Sequence, residues 1–116
     1  MIITRKFNID ILPGDVPLII RASQKDNSSV LKLRLWSRDG VLKIPATGIT
    51  AKIQGITLGG TSCEETGTLT FVSGVPIVTI ELNRDMTKDI GMNPFELVLS
   101  GSGAKLCSAT FYLDVR

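Results

Sequence analysis

Any chemistry in this chain of 116 residues would have to run on carboxylates and two thiols, because it contains no histidine. That absence removes the commonest general base near neutral pH and the commonest zinc ligand. Cys63 and Cys107 are the only cysteines, and neither sits in a CxxC pair, so a thiolate metal site has no support. They read as free, partly buried thiols of a reducing compartment, with a bridge between them left open by sequence. Glu64-Glu65 is the only adjacent pair of acids. Two catalytic carboxylates of a glycosidase must flank a sugar from opposite sides, so this pair reads as part of a solvated loop. Asp85 and Asp89 stand four residues apart with Glu81 nearby. Calcium requires about six to eight oxygens from a tight loop, and Lys88 intrudes on the cluster.

Gly55-Ile56-Thr57-Leu58-Gly59-Gly60 has the glycines of a phosphate-binding loop. It lacks the Lys-Ser/Thr pair and the helix whose N-terminus would hold the anion, so it reads as a loop tip. No GxSxG or GxGxxG motif occurs. The chain is therefore expected not to be an enzyme, and to need no cofactor or metal.

The remaining candidates are contact residues. Trp36, the only tryptophan, shares the polar face of its strand with Arg34 and Lys32, and an outward Trp beside Arg is common at interaction surfaces. Arg34, Trp36, Arg38 and Asp39 are the candidate partner contacts. A tryptophan covered by a loop of its own domain fits the same pattern and is the commoner arrangement. Tyr112 is expected on an outer face with Thr110 and Asp114, opposite Phe111, Leu113 and Val115.

Composition narrows the partners. Hydrophobic residues make up 43% and charged residues 21%, which describes one folded domain over residues 1–116. A formal charge of +2 and a pI near 8.7 are too mild for a nucleic-acid binder. The first forty residues lean basic, but strand alternation is expected to spread several of those charges over different faces. No apolar run approaches the roughly 18 residues needed to span a bilayer, so no membrane insertion is expected. Met1–Lys6 leads into no signal-type apolar core, because Asn8 and Asp10 interrupt it, so synthesis in a cytoplasm is expected.

These side chains must be carried by strands, because period-2 alternation dominates. Phe7, Ile9 and Ile11 alternate with Asn8 and Asp10 until Pro13-Gly14-Asp15 breaks the run. Val16–Ala22 is a second apolar run. Leu31, Leu33 and Leu35 alternate with Lys32, Arg34 and Trp36. Short strands follow at Val41–Ile44 and around Ile49–Gln54. Four more runs span Gly67–Val72, Val75–Leu82, Phe95–Ser100 and Lys105–Val115. Between the second and third of these, Asn83 is placed to N-cap one helical turn near 84–90. Met86 and Ile90 would share its buried face and Gly91 would end it, plugging one end of the core. The spacing of strands and turns predicts an all-β antiparallel sandwich of about seven to nine strands.

Taken in this order, the parts resemble the N-terminal domain of the phage baseplate upper protein family of tailed phages and prophages of Gram-positive bacteria. Phe7-Asn8-Ile9-Asp10-Ile11 and Val16–Ile20 begin the match. Gln24-Lys25-Asp26-Asn27-Ser28-Ser29-Val30-Leu31 resembles the family's Gln-Gly-Asp-type loop, and Arg38-Asp39-Gly40 its next turn. Thr47-Gly48-Ile49-Thr50-Ala51, Val78–Gly91, Phe95–Leu99 and Ala109–Val115 complete it. Lys25 stands where the family often has Gly, so the turn there is expected to differ. Family members usually continue beyond the position of Val115 into a linker and a receptor-side domain. The chain is thus expected to be an excised N-terminal domain or a short relative.

The resemblance implies an immunoglobulin-like β-sandwich with a mechanical role in the virion tail baseplate. It would dock on the tail hub and help hold the receptor-binding proteins, with a homo-oligomer in the particle among the assemblies implied. A stand-alone β-sandwich module binding a host-surface glycan or protein is the alternative, although aromatics at 5% leave few rings for sugars.

Overall fold

A computed structural model describes residues 3–10, 18–26, 29–37, 40–41, 44, 47–101 and 104–116. Nine strands are present among them: β1 (Ile3–Asp10), β2 (Leu18–Ala22), β3 (Ser29–Ser37), β4 (Gly40–Val41), β5 (Ile49–Ile56), β6 (Ser62–Val72), β7 (Val75–Glu81), β8 (Gly91–Gly101) and β9 (Ala104–Val115). The expected all-β fold is thus observed. One hydrogen-bonded path runs β1-β3-β7-β6-β5-β8-β9-β2, with β4 paired to β3.

The sheet is mixed, not antiparallel throughout. β1 and β3 are parallel, with Phe7 opposite Leu33, and β2 and β9 are parallel, with Ile20 opposite Leu113. The chain leaves β1, becomes β2 at the far end of the path, and returns as β3 beside β1. Two reversals bring β3 back in the direction of β1. Alternation in sequence carries no information about direction, so only the topology reveals this.

The path curls on itself through β6. Its first half pairs with β5 as far as Gly67, and its second half pairs with β7 from Thr68 onward. A Cβ on Gly67 would lie 2.7 Å from Val78 Cγ1 and 3.0 Å from Ile80 Cγ1, so the bare backbone lets β6 cross close over β7. At the ends of the path, the Arg5 guanidinium on β1 donates to the Arg21 carbonyl of β2, linking the two edges.

Inward residues of both halves make one core. Ile9, Leu31, Leu33, Leu35, Val78 and Ile80 meet Ile20, Ile53, Leu97, Leu99, Phe111 and Leu113, all buried. The alternation expected for β3 and β9 is borne out, since Thr110 is exposed while Tyr112 and Asp114 are only half-buried, opposite buried Phe111, Leu113 and Val115.

Two local expectations are corrected. Glu64-Glu65 lies within β6, whose first residues are polar but are zipped into place by the ladder to Ile53 and Gln54. Successive strand residues face opposite ways. Accordingly Glu64 is exposed and pairs with Lys52 at 3.5 Å, whereas half-buried Glu65 accepts from Asn83 Nδ2 at 2.9 Å. The segment between β7 and β8 forms turns, and no helix occurs among the described residues, nor therefore one long and apolar enough to cross a membrane. Asn83 does cap as expected, its Oδ1 accepting the Met86 N–H at 2.9 Å, and Met86 is buried. Without a continuing helix the i, i+4 relation lapses, and Ile90 is 62% exposed.

Candidate docking surface

The outer face of the β1-β3-β7-β6 half gathers the charges. Lys6 stands directly opposite Lys32 in the parallel ladder, and Asn8 opposite Arg34. Lys32 and Arg34 in turn face Thr79 and Ile77 of β7. The expected spread of several basic residues holds for Arg21, on β2 at the far end of the path, but does not extend to Lys6, Lys32 and Arg34. Parallel pairing puts the outward residues of β1 beside those of β3, so Lys6, Lys32 and Arg34 share one face. Among the residues whose side chains are described, no carboxylate forms an ion pair with any of the three, and the salt bridges seen there include Lys52–Glu64 and Asp114–Arg116. Glu81 lies on this face opposite Val30, one diagonal step from Lys32, without an ion pair to it.

Trp36 is half-buried, and its Nε1 donates to Asn8 Oδ1 at 3.1 Å. The Arg34 guanidinium lies over the indole, 5.4 Å from its centroid, which fixes a charge that would otherwise sweep freely. Arg34 and Trp36 are thus brought together, whereas Arg38 and Asp39 lie outside the described residues. Beside them is a cleft of about 380 Å³ lined by Lys6, Lys32 and Arg34 and by the apolar Val72, Val75 and Ile77. The β6–β7 turn that borders it, Ser73-Gly74, has both residues at positive φ (50° and 81°), the geometry that reverses a two-residue hairpin with the twist of its strands. The contribution of Lys6 was not apparent from sequence, because the register between strands more than twenty residues apart is needed to see it.

Of the acids weighed as metal ligands, Asp89 ties its own segment to the β5–β6 loop. The Asp89 carboxylate accepts from the Thr57 hydroxyl and from the Gly59 N–H at 3.0 Å, so the glycine-rich tip between β5 and β6 already has an internal anion. Asn93 accepts the Leu58 N–H at 2.9 Å and donates to the carbonyls of Asp89 and Gly91 at 2.8 and 3.0 Å. Among the described residues no group of three or more His, Cys, Asp or Glu is placed to hold a metal. Cys63 is a free, buried thiol. Its burial, and then the nearby charges of Asp85 and Asp89, push its pKa above the ordinary thiol value, against the pull of Lys88.

The Thr57 hydroxyl, foremost, and then the Gly59 N–H and the Lys88 charge hold the Asp89 carboxyl below the usual carboxylate range, with burial acting the other way. A folded pKa below the unfolded one gives stability that is present above the unfolded value of about 3.9 and is lost as pH falls through the folded value. The Gly59 amide resonance is therefore expected to titrate with a midpoint below that value. Asp89→Asn should abolish the titration, and an unchanged Gly59 titration in that variant would show the contact to be idle.

Lys25 has φ of +63°, the left-handed conformation that glycine adopts without strain. The lysine thus occupies a backbone position that glycine takes at no steric cost. The turn is held by the Lys25 N–H on the Thr87 carbonyl at 2.9 Å and by Gln24 Nε2 on the Lys88 carbonyl at 3.0 Å.

No model of a known protein family matches the sequence, and no curated protein does. Among solved structures, the chain is similar to the N-terminal domain of phage TP901-1 ORF48, with a TM-score of 0.72 over 99% of each chain at 13% sequence identity. At that identity the likeness is one of fold, and it extends over the whole of this sheet, from one edge strand to the other.

Proposed function

We propose that the chain is a non-enzymatic structural module of a phage tail baseplate, which docks on the tail hub and helps anchor the receptor-binding proteins. The observation that carries this reading is the end-to-end fold likeness to the N-terminal domain of a phage protein. The sequence resemblance to baseplate upper proteins points the same way from different evidence. The non-enzymatic part is supported by four of the acids, Glu64, Glu65, Asp89 and Asp114, each tied to a neighbouring side chain of the domain. On this reading the protein resides in the virion, its partners are other tail proteins, and Arg34, Trp36, Arg38 and Asp39 are among its contacts.

The test is light-scattering chromatography of the domain alone and mixed with the hub protein encoded in the same tail gene cluster. Co-elution at a fixed stoichiometry is the expected result. An intact domain that elutes alone with every tail protein offered would overturn the reading and favour a distal module that binds the host surface.

A further inference from the structure

We infer that the cationic cleft over β1, β3 and β7 receives a partner segment in which carboxylates alternate with apolar side chains. The inference rests on the docking role proposed above and names its surface and the chemistry of its partner. Its starting point is a local conflict in the free domain. Lys6 and Lys32 are directly opposite in the ladder, with Arg34 one outward position further along β3. Like charges directly opposite on a sheet face are destabilising. None of the three has an ion-pair partner among the described residues. A carboxylate delivered from outside removes that repulsion, so the site is complementary to a charge that no ion pair among the described residues supplies.

The cleft also selects against a bare polyanion. Val72, Val75 and Ile77 line it together with the three cations. A phosphate polymer would satisfy Lys6, Lys32 and Arg34 but leave those apolar side chains facing its hydrated backbone. A polypeptide with alternating Glu or Asp and Val or Leu matches both halves, apolar against apolar and carboxylate against ammonium or guanidinium. Arg34 suits this role because its stack on Trp36 orients the planar fork before a carboxylate arrives. Trp36, held by Asn8, then becomes a built-in reporter of occupancy.

The probe is a short synthetic peptide alternating Glu and Val, titrated against the intact chain at neutral pH and low salt while Trp36 fluorescence is followed. Saturable binding that weakens with added salt is expected, and none with a peptide alternating Lys and Val. Lys32→Glu and, separately, Lys6→Glu should each weaken binding at least about tenfold, since each sets a like charge against the peptide. Lys6→Glu should at the same time leave the melting temperature of the free domain unchanged or higher, because it converts a like-charge pair into an opposite-charge pair. A merely structural lysine would not show gain in stability with loss of binding. Lys6→Gln and Lys32→Gln serve where a reversed charge perturbs the fold, with the same direction expected.

No peptide binding, or binding indifferent to both lysines, overturns the inference. So does inorganic polyphosphate that binds more tightly than the peptide with the same dependence on Lys6 and Lys32. The two readings fail separately. Hub co-elution that survives Lys6→Glu and Lys32→Glu leaves the docking role standing and removes this surface from it. Peptide binding that requires both lysines, without co-elution of any tail protein, leaves the surface and removes the baseplate role.

Discussion

Asn93→Asp is expected to destabilise the domain by about 3–5 kcal/mol at neutral pH, and Asn93→Ala by about 2–4 kcal/mol. Asn93 is fully buried, and its amide ties the β5–β6 loop at Leu58 to the segment leading into β8, while its backbone stands opposite Leu113 of β9 in the ladder. Its Oδ1 takes the Leu58 N–H, while Nδ2 divides its two hydrogens between the carbonyls of Asp89 and Gly91, with the Leu113 carbonyl at a marginal 3.5 Å. Alanine leaves these groups unpaired in a space that water must enter to satisfy them. Aspartate is worse, because it has no hydrogen to donate and sets a charge against those carbonyl oxygens.

The two variants are separated by pH. Repulsion and burial would raise the folded pKa of the introduced carboxyl above its unfolded value. The variant is then most stable below about pH 4 and loses stability as pH rises through the folded value. Urea unfolding of the three proteins across pH measures this directly. An aspartate variant within about 0.5 kcal/mol of the parent at pH 7, the ordinary range for surface changes, would show that Asn93 is not the tie between these loops.

The contrast between Asn93 and the strands shows where sequence reading stops. The strands were legible because each declares itself locally: Leu31, Leu33 and Leu35 are all fully buried while Lys32, Arg34 and Trp36 between them are half-buried. Their partners were not, since alternation fixes a face and leaves direction and neighbour open. That is why the parallel pairing of β1 with β3 came only from the structure, and with it the gathering of Lys6 beside Lys32 and Arg34. Glu64-Glu65 reads as a loop because both residues are charged, yet their ladder to β5 makes them strand. Asp89 was visible as a carboxylate near other acids, but the groups that explain it, Thr57 and Gly59, are about thirty residues upstream in the chain. Asn83 was read correctly for the opposite reason, because a cap bonds within its own turn. Of the candidate site, Arg34 and Trp36 were legible on one strand, and the cleft they border was not.

Phe111→Ala is expected to cost about 3–5 kcal/mol, a large share of the about 5–15 kcal/mol that holds a domain of this kind together. Phe111 is fully buried and stacks on Phe95, with centroids 6.0 Å apart and planes inclined by 24°. The register explains why two large rings fit side by side. One row across the sheet runs Gly55, Phe95, Phe111, Leu18, so the ring of Phe95 lies next to a strand position without a side chain. A Cβ on Gly55 would lie 2.7 Å from Phe95 Cδ1 and 2.6 Å from the Pro94 carbonyl oxygen. The row continues past Gly55 to the buried Cys63 of β6, so the gap at Gly55 is bordered by side chains on both sides, and Gly55→Ala should cost about 1–3 kcal/mol by overpacking although it deletes nothing.

A double-mutant cycle of Phe95→Leu with Phe111→Leu is expected to give a coupling of about 0.5–1.5 kcal/mol, as for buried aromatic pairs. Combining Gly55→Ala with Phe95→Leu separates the two clashes. The leucine relieves the contact with the ring but not the contact with the Pro94 carbonyl, which belongs to the backbone of β8. Partial rescue is therefore expected. Full rescue would place the whole constraint on the ring, and no rescue would place it on the closeness of β5 to β8, independent of the aromatic pair.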